Sequence, residues 1–397
     1  MFAPRWLAAG LLLVSSFALA QGCFFTLAPL AGSGGGGASA SAGGGGSGAT
    51  VSYEVEVTYA SFTGGAVSDF VLMVPIGPSD IDYAATTSDG ADLRFVDAQG
   101  TSLPHEIELW SPGGRSIAWV KVPTMSPSGG SFFLRYGDPA APGGPSPEEV
   151  WSSYVAVHHL GEDFGQNELA ADASGNGPSG TPTMVASADT SLIGRGAELT
   201  GETAPGSGVG SVIDFGEVAT WQANPGEQRT ISVWFARETT NPDGMQLFSS
   251  KTNCCGGWAL LVLGDIYANL RSDVTVGSCC TMSSSSFDTT PFAMPDGADD
   301  LAWHHYLVVL DRDAGTHQLY LDGELRDEQP FVSGAAMGAS AGRIGASEYA
   351  ADFTQAFVDE TRVGAFAASA DWARLRYVAE STDGFVTFGL PQRLPAN

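Results

Sequence analysis

The sequence predicts an all-β protein made of two β-sandwich modules, a small N-terminal sandwich and a larger jelly roll. The 397 residues include 52 Gly and 22 Pro, and only 15% of them are charged. Such a composition favours short strands joined by tight turns over long helices. The length exceeds one ordinary domain and suits two. Hydrophobic residues reach 43%, which is enough for packed cores in both modules.

The first 23 residues have the pattern of a secretory signal. One basic residue, Arg5, precedes an apolar run over 6–20 that is shorter than a membrane-spanning helix requires. The segment LAQGC at 19–23 resembles a bacterial lipobox, in which Cys23 is lipidated. The overlapping ALA at 18–20 would instead suit ordinary cleavage and a soluble secreted or periplasmic protein. Cys23 is the odd one of five cysteines, which favours an exported, lipid-anchored protein of the cell envelope.

A segment rich in Gly, Ser and Ala follows the predicted signal. Residues 24–50 are dominated by Gly, Ser and Ala, which predicts a flexible tether behind the anchor.

Acidic side chains outnumber basic ones 44 to 17 across the chain, for a formal net charge of −27. This charge repels phosphate backbones and no basic stripe offsets it, so we expect no nucleic-acid partner.

Residues 51–148 are predicted to form the small β-sandwich, a module of unknown function. Val51–Tyr59 alternates apolar and polar side chains without a break, which is the pattern of a half-buried strand. Further strands at 70–76, 116–122 and 131–136 are separated by Pro, Gly and Ser. The Pro/Gly-rich segment that ends this region marks the boundary to the next module.

Residues 149–391 are predicted to form the jelly roll, followed by a tail at 392–397. Strand-like segments recur along this region, the last of them at 385–388. One short helix is expected after Ser369, a favoured N-cap residue, with Trp372 and Leu375 on its apolar face.

The motifs of 151–389 resemble those of laminin G-like, concanavalin A-like jelly rolls. WHHY at 303–306 and LYLDG at 319–323 match a pair of adjacent strands in that family. DASGNG at 172–177, TISVWF at 230–235 and FVDETRV at 357–363 match further signatures in the family's order. The resemblance implies the fold, which hosts lectins, glycosidases and purely structural modules.

The small sandwich is similar to a bacterial domain of unknown function that commonly precedes such a jelly roll. GADLRF at 90–95, LPHEIE at 103–108, WVKVP at 119–123 and RYGDP at 135–139 carry this resemblance. Relatives of that domain occur in the company of energy-transducing or export complexes. The resemblance therefore implies one possible class of partner for this chain.

The jelly-roll resemblance also implies a structural calcium ion. The candidate ligands are Asp172, Asn176 and Asp359, since Ca²⁺ prefers carboxylate, amide and carbonyl oxygens. The alternative is an Asx turn, in which Asp172 and Asn176 bond only to nearby backbone N–H groups.

The four downstream cysteines form two adjacent pairs. They are Cys254, Cys255, Cys279 and Cys280. Two strand-like segments lie between the pairs, so a hairpin turn near Gly264 brings both pairs to one end. In an exported protein this predicts one or two disulfide bonds with the pairing left open. A zinc site is the alternative, although adjacent cysteines lack the spacer that zinc knuckles use.

No catalytic motif emerges from the sequence. Glycoside hydrolysis needs two carboxylates about 5–10 Å apart. Glu106 and Glu108 share one strand face, but the sequence offers them no acid–base partner. Asp359 and Glu360 alternate along a strand and so point to opposite faces. The histidine pairs 158–159 and 304–305 are interpreted as core or boundary residues, and we expect no enzymatic activity.

Three functions stay open at this point. The first is a non-enzymatic envelope binding module that recognises carbohydrate or a surface protein through the jelly roll. The second is a structural or adhesive envelope spacer, and the third is an accessory subunit of an envelope transport complex. A glycoside hydrolase is the least favoured alternative.

Lipidation can be tested at Cys23. The Cys23→Ser variant removes the thiol that a lipid would modify, so we expect it to lose incorporation of an alkyne-tagged fatty acid. It should also move from the detergent phase to the aqueous phase in a Triton X-114 partition. Cys255→Ser is the matched control and should keep the label. A labelled Cys23→Ser variant would contradict the lipoprotein interpretation.

Overall fold

The computed structural model describes most of the chain beyond the tether. The described residues are 51–189, 191–204, 207–237, 245–252, 255–263, 267–276, 283–288, 292–293, 302–330, 336–338, 340–347 and 353–395. They all belong to one compact unit, Ala49–Asn397, and Cys23 lies outside them. Within these ranges, no helix is both long enough and apolar enough to cross a bilayer.

Short strands dominate the described residues, and two short helices accompany them. The first part of the chain contains β1 (Tyr53–Tyr59), β2 (Val67–Ile76), β3 (Arg94–Val96), β4 (Ser102–Leu103), β5 (His105–Leu109), β6 (Ser116–Met125), β7 (Gly130–Tyr136) and α1 (Pro147–Val150). The middle contains β8 (Tyr154–His158), β9 (Thr181–Thr183), β10 (Val185–Ala188), β11 (Gly196–Thr200), β12 (Val212–Glu217), β13 (Gln228–Arg237), β14 (Met245–Thr252), β15 (Cys255–Leu263), β16 (Tyr267–Val276), β17 (Ser283–Asp288) and β18 (Phe292–Ala293). The last part contains β19 (His304–Asp311), β20 (Thr316–Leu321), β21 (Glu324–Pro330), β22 (Ala341–Ile344), β23 (Gln355–Gly364), α2 (Ala370–Ser381), β24 (Val386–Phe388) and β25 (Gln392–Arg393). The all-β prediction is confirmed.

The small sandwich consists of two antiparallel sheets. Sheet A has the order β24-β1-β7-β3-β4, with β25 also paired to β1, and sheet B has the order β2-β6-β5. The alternation in β1 is confirmed, because Val55, Val57 and Tyr59 are buried while Glu54, Glu56 and Thr58 are less so. Leu72 and Val74 of sheet B face the same core.

The C-terminal strands belong to sheet A, which the sequence did not predict. The segment 385–388 was expected to be the last strand of the jelly roll. In the structure Thr58 of β1 pairs with Thr387, and Glu54 pairs with Gln392. The edge of β1 would otherwise leave a row of backbone donors and acceptors unpaired, and the returning chain satisfies them.

Two eight-stranded sheets form the jelly roll. Sheet C has the order β10-β11-β23-β13-β19-β20-β21, with β8 also paired to β23. Sheet D has the order β17-β16-β15-β14-β22-β12-β9, with β18 also paired to β16. The expected hairpin between the cysteine pairs is confirmed, because Trp258 of β15 pairs with Val274 of β16. The inner faces of both sheets bury one apolar core, which includes Trp258 and Ile344 from sheet D and Val308 and Val358 from sheet C.

Sheet C is covered on its outer face as well. Along β19, Tyr306, Val308 and Leu310 point into the jelly-roll core, whereas Leu307 and Val309 join the core of the small sandwich. This alternation follows from the two-residue period of a strand. The two modules therefore share one apolar core across the outer face of sheet C.

Helix α2 completes this shared core. The hydroxyl oxygen of its N-cap residue Ser369 accepts a hydrogen bond from the Trp372 backbone N–H at 3.1 Å, which confirms the predicted helix start. Trp372 and Leu375 are buried among residues of both modules. Phe70 of β2 contacts the Trp372 ring with centroids 5.9 Å apart.

Because the two modules share one core, a cavity created in that core by mutation should destabilise both modules. Leu307 is fully buried, so Leu307→Ala should lower the free energy of unfolding by about 2–5 kcal/mol. The matched control is Leu325→Ala in β21, whose side chain is 48% exposed and whose loss should cost less than about 0.5 kcal/mol. Urea denaturation followed by tryptophan fluorescence measures both, and a single transition is expected. Two separate transitions in the wild type would contradict a shared core.

Candidate functional site

The proposed calcium ligand Asp172 makes several hydrogen bonds within its own loop. Its Oδ1 atom accepts from the backbone N–H of Val157 at 2.8 Å, and its Oδ2 atom accepts from that of Gly177 at 2.7 Å. The Ser174 hydroxyl donates to both oxygens at 2.9 Å. These contacts favour the Asx-turn alternative, because they satisfy the carboxylate without an ion. Calcium binding stays a prediction.

The other two proposed calcium ligands point elsewhere. The Asn176 side-chain N–H₂ donates to the Tyr154 carbonyl oxygen at 2.9 Å. Asp359 is fully buried in β23, and its Oδ2 atom accepts from the Ser191 hydroxyl at 2.7 Å and the Ile193 backbone N–H at 2.9 Å. Burial raises the pKa of Asp359 well above the usual range, and the neighbouring carboxylate of Glu360 adds to the rise. The described contacts do not bring Asp359 together with Asp172 and Asn176.

Most of the cysteines cannot be placed. Cys254, Cys279 and Cys280 lie outside the described residues. Cys255 begins β15, and only its backbone is described. The disulfide prediction therefore stays a prediction.

The outer face of sheet D carries a row of polar side chains. Asp214 of β12 pairs with Arg343 of β22, which pairs in turn with Ser249 of β14. The Arg343 Nε atom lies 2.9 Å from the Asp214 Oδ2 atom. The Gln246 side-chain N–H₂ donates to the Ser249 hydroxyl at 2.6 Å. Asp214, Arg343, Ser249 and Gln246 are called the polar row below.

A second polar cluster lies where the small sandwich meets the jelly roll. Glu106 and Glu108 project from β5, His159 follows β8, and Glu360 lies in β23. The pairing of β5 with β6 shifts register between Ile107 and Leu109, so Glu108 occupies a bulge. These four residues, Glu106, Glu108, His159 and Glu360, are called the junction cluster below.

His159 lies at the centre of the junction cluster. Its Nδ1 atom is 2.8 Å from Glu360 Oε1 and 3.7 Å from Glu108 Oε2. Its Nε2 atom is 3.3 Å from Glu106 Oε2. Burial alone would lower the pKa of His159, but the carboxylates of Glu360, Glu106 and Glu108 raise it well above its ordinary value. The three carboxyl groups therefore favour the protonated form of the imidazole.

Two tryptophans hold the glutamates of β5 in place. The indole N–H of Trp119 donates to Glu108 Oε2 at 2.7 Å, and that of Trp151 donates to Glu106 Oε2. The Trp119 ring also stacks on the His159 imidazole, with centroids 5.8 Å apart and an interplanar angle of 16°. Burial raises the pKa of Glu108 to about 8, since His159 offsets only part of the effect of burial and the nearby carboxylates.

A buried charge network continues from Glu360 into helix α2. The Arg362 guanidinium lies 2.5 Å from Glu360 Oε2 and 2.8 Å from Glu380 Oε1. Arg376 also lies 2.8 Å from Glu380 Oε1, and the Trp234 indole N–H donates to Glu380 Oε2 at 2.6 Å. Burial opposes ionisation of Glu380, but Arg362 and Arg376 lower its pKa to about 2.

Sequence reasoning missed the junction cluster. The sequence showed Glu106 and Glu108 as a pair on one strand face. The expectation that they have no acid–base partner was wrong, because His159 lies beside them. Glu106 and His159 are 53 residues apart in the sequence, and His159 and Glu360 are 201 residues apart. The interpretation of the histidines as core or boundary residues is confirmed, because all six are buried.

Aromatic side chains that could stack on sugar rings lie mainly in the core. Trp258 and Tyr320 are at most 2% exposed, and Trp303 is partly buried. The side chain of Tyr267 lies outside the described residues.

Two family models match the chain. Residues 208–373 match a laminin G-like family described as the concanavalin A-like lectin/glucanases superfamily. Residues 89–172 match a domain of unknown function, DUF2341. The chain therefore carries a concanavalin A-like domain preceded by that domain of unknown function, as the motifs predicted. A search of curated proteins found no significant match.

Several solved structures have a similar fold at low identity. The binding domain of Paraclostridial Mosquitocidal Protein 1 is 14% identical, with 58% of this chain and 52% of that chain covered and a TM-score of 0.44. The botulinum neurotoxin serotype G binding domain is 13% identical, with 56% and 50% covered and a TM-score of 0.42. Domain 4 of AbnA, a GH43 extracellular arabinanase from Geobacillus stearothermophilus in complex with arabinotriose, is 20% identical, with 56% and 97% covered and a TM-score of 0.40. The chain spans about half the length of the two toxin domains.

The buried network can be tested at Glu380. Glu380→Gln leaves the buried Arg376 without its carboxylate and leaves Arg362 with Glu360 alone, so the free energy of unfolding at pH 7 should fall by about 3–5 kcal/mol. Because the folded-state pKa is lowered, this stabilisation is complete above the ordinary value of 4.5 and is lost as pH falls through about 2. The difference between wild type and variant should therefore shrink below pH 4.5.

The matched control is Glu328→Gln, at an exposed position in β21. It should change stability by less than about 0.5 kcal/mol at every pH. Denaturant titrations between pH 2 and 7 measure all three proteins. A Glu380→Gln variant as stable as wild type at pH 7 contradicts the role given to this carboxylate.

Proposed function

We propose that the protein is a non-catalytic binding module of the cell envelope that recognises carbohydrate through the outer face of sheet D. One observation carries this proposal. The small sandwich and α2 bury the outer face of sheet C at β19 and β20, whereas the outer face of sheet D presents the partly exposed Asp214 and Arg343 of the polar row. A ligand of the jelly roll therefore has sheet D as the available sheet surface among the described residues.

The chemistry of the polar row suits a hydroxyl-rich ligand. Arg343 supplies N–H donors and Asp214 supplies acceptors, whereas Gln246 and Ser249 are buried beside them. The Arg343 and Asp214 side chains are 21% and 41% exposed, so their polar atoms are accessible at one end of the row. Convergent polar groups of this kind orient a ligand in a binding site. The family description, which names lectins, supports the same proposal.

The arrangement of the junction cluster supports a non-catalytic role. The ligand atoms of Glu108, His159 and Glu360 all lie within 4.8 Å of one another. Glycosidases place their two carboxyl groups at least about 5 Å apart, with the scissile bond between them. Here an imidazole lies between the carboxyl groups, and Arg362 occupies a further oxygen of Glu360.

A glycan array probed with the full-length protein tests the proposal. We expect selective binding, and Arg343→Gln should weaken the affinity for the selected glycan by at least about tenfold, since charged N–H donors to the ligand are lost. Arg326→Gln on β21 is the matched control and should bind as the wild type does. Thermal unfolding of both variants checks that the fold is retained.

The outcomes separate the candidate functions. Selective binding that survives Arg343→Gln would place the ligand elsewhere on the chain and overturn the role of the polar row. A blank array with folded protein favours the envelope spacer or the accessory subunit. Repeating the array with a chelator, and then with Ca²⁺ restored, tests whether glycan binding needs calcium.

A further inference from the structure

We propose that Glu108, His159 and Glu360 form a binding site for a divalent transition-metal ion, with Zn²⁺ as the representative, at the junction of the two modules. These residues come from the small sandwich, from the segment after β8 and from β23. An ion bound there links the two modules directly. Carboxylate oxygen and imidazole nitrogen are donors that Zn²⁺ and related ions accept.

The donor separations fit one ion. His159 Nδ1 lies 2.8 Å from Glu360 Oε1 and 3.7 Å from Glu108 Oε2. Two ligands on a tetrahedral ion, with bonds of about 2.0–2.2 Å, are about 3.3–3.6 Å apart. These two distances lie on either side of this value, and the donor atoms of all three residues lie within 4.8 Å of one another. The ion displaces the Nδ1 proton to solvent, and the ring then binds as neutral imidazole.

Glu106 supplies the outer contact that such a histidine needs. Metal-bound histidines commonly donate the N–H of their second ring nitrogen to a carboxylate, which fixes the ring orientation. His159 Nε2 lies 3.3 Å from Glu106 Oε2, while Trp151 donates to the same carboxylate. The Trp119 ring stacks on the His159 imidazole and restricts its orientation. His159 is thus oriented before an ion arrives.

The cluster is open to solvent at one place. A cleft of about 270 Å³ is lined by Glu106, Glu108 and His159 together with Glu162 and Arg195. It offers an entry path for an ion and room for water as a fourth ligand. The remaining oxygen of Glu360 is occupied by Arg362, which leaves Oε1 for the ion.

One carboxylate oxygen in the wall of the cleft lacks a donor. The buried Oε2 atom of Glu162 has no hydrogen-bond partner among the described residues. A buried oxygen without a donor is costly, and a nearby cation offsets part of that cost. This oxygen is an observation independent of the three ligands.

Zinc binding by the full-length protein tests the proposal. The protein is dialysed against a chelator, then against Zn²⁺, and the bound metal is counted and titrated by calorimetry. Glu108→Gln should lose one equivalent of Zn²⁺, or bind it at least about 100-fold more weakly. This variant keeps an amide oxygen for the Trp119 N–H, and circular dichroism without metal should match that of the wild type.

Two further variants make the test specific. Glu106→Gln replaces the outer carboxylate with a neutral amide and should weaken binding by about 10–100-fold without changing the stoichiometry. Glu54 is a partly buried partner of Arg135 on β1, and Glu54→Gln, which removes a carboxylate from the same module, should leave affinity unchanged within twofold. A Co²⁺-loaded sample distinguishes this site from the cysteines, because thiolate ligands add charge-transfer absorption that oxygen and nitrogen ligands lack.

The contrary results are equally clear. A wild-type protein that binds no Zn²⁺ overturns the proposal. So does a Glu108→Gln variant that keeps every equivalent at unchanged affinity, or a Glu54→Gln variant weakened as much as Glu108→Gln. The last result would mean that net charge rather than coordination attracts the ion.

Discussion

The Arg362 side chain, only 1% exposed, lies between Glu360 and Glu380 and against the Trp119 ring, whose centroid is 4.7 Å from the guanidinium carbon. A buried guanidinium is stable only when its partners are in place, because the loss of one partner leaves an uncompensated charge in a medium that solvates it poorly. These partners come from β23, α2 and the small sandwich. The position of the small sandwich on the jelly roll, and the orientation of Glu360 within the junction cluster, both depend on this one cation.

The same junction decides which surfaces can serve a ligand. Jelly rolls bury the faces between their sheets and leave the outer faces for other purposes. Here Leu307 and Val309 of sheet C enter the core of the small sandwich, so that face has become interior. The polar row on sheet D and the cleft at the junction cluster lie outside this buried face. One suits a hydroxyl-rich ligand and the other a cation, and the two proposals can fail separately.

Much of the architecture was predictable because local patterns carry it. The alternation of β1, the paired strands β19 and β20, and the Ser369 cap of α2 were all correct, since each depends on neighbouring residues. The strand at 385–388 was correctly recognised but wrongly assigned to the jelly roll. A three-residue strand has too few side chains to specify its partner, and this one pairs with the otherwise free edge of β1.

The sequence by itself determined the all-β class, the order of the strands along the chain and which of their side chains are apolar. Periodicity and turn residues act over a few positions, so they can be recognised without a structure. Only the tertiary structure decided that Glu106 and Glu108 meet His159 and Glu360, across separations of 53 and 201 residues for two of the contacts. No local pattern encodes such a meeting. These contacts form because two modules are buried against one sheet. Charged side chains enclosed at that junction are stable only when they pair with one another.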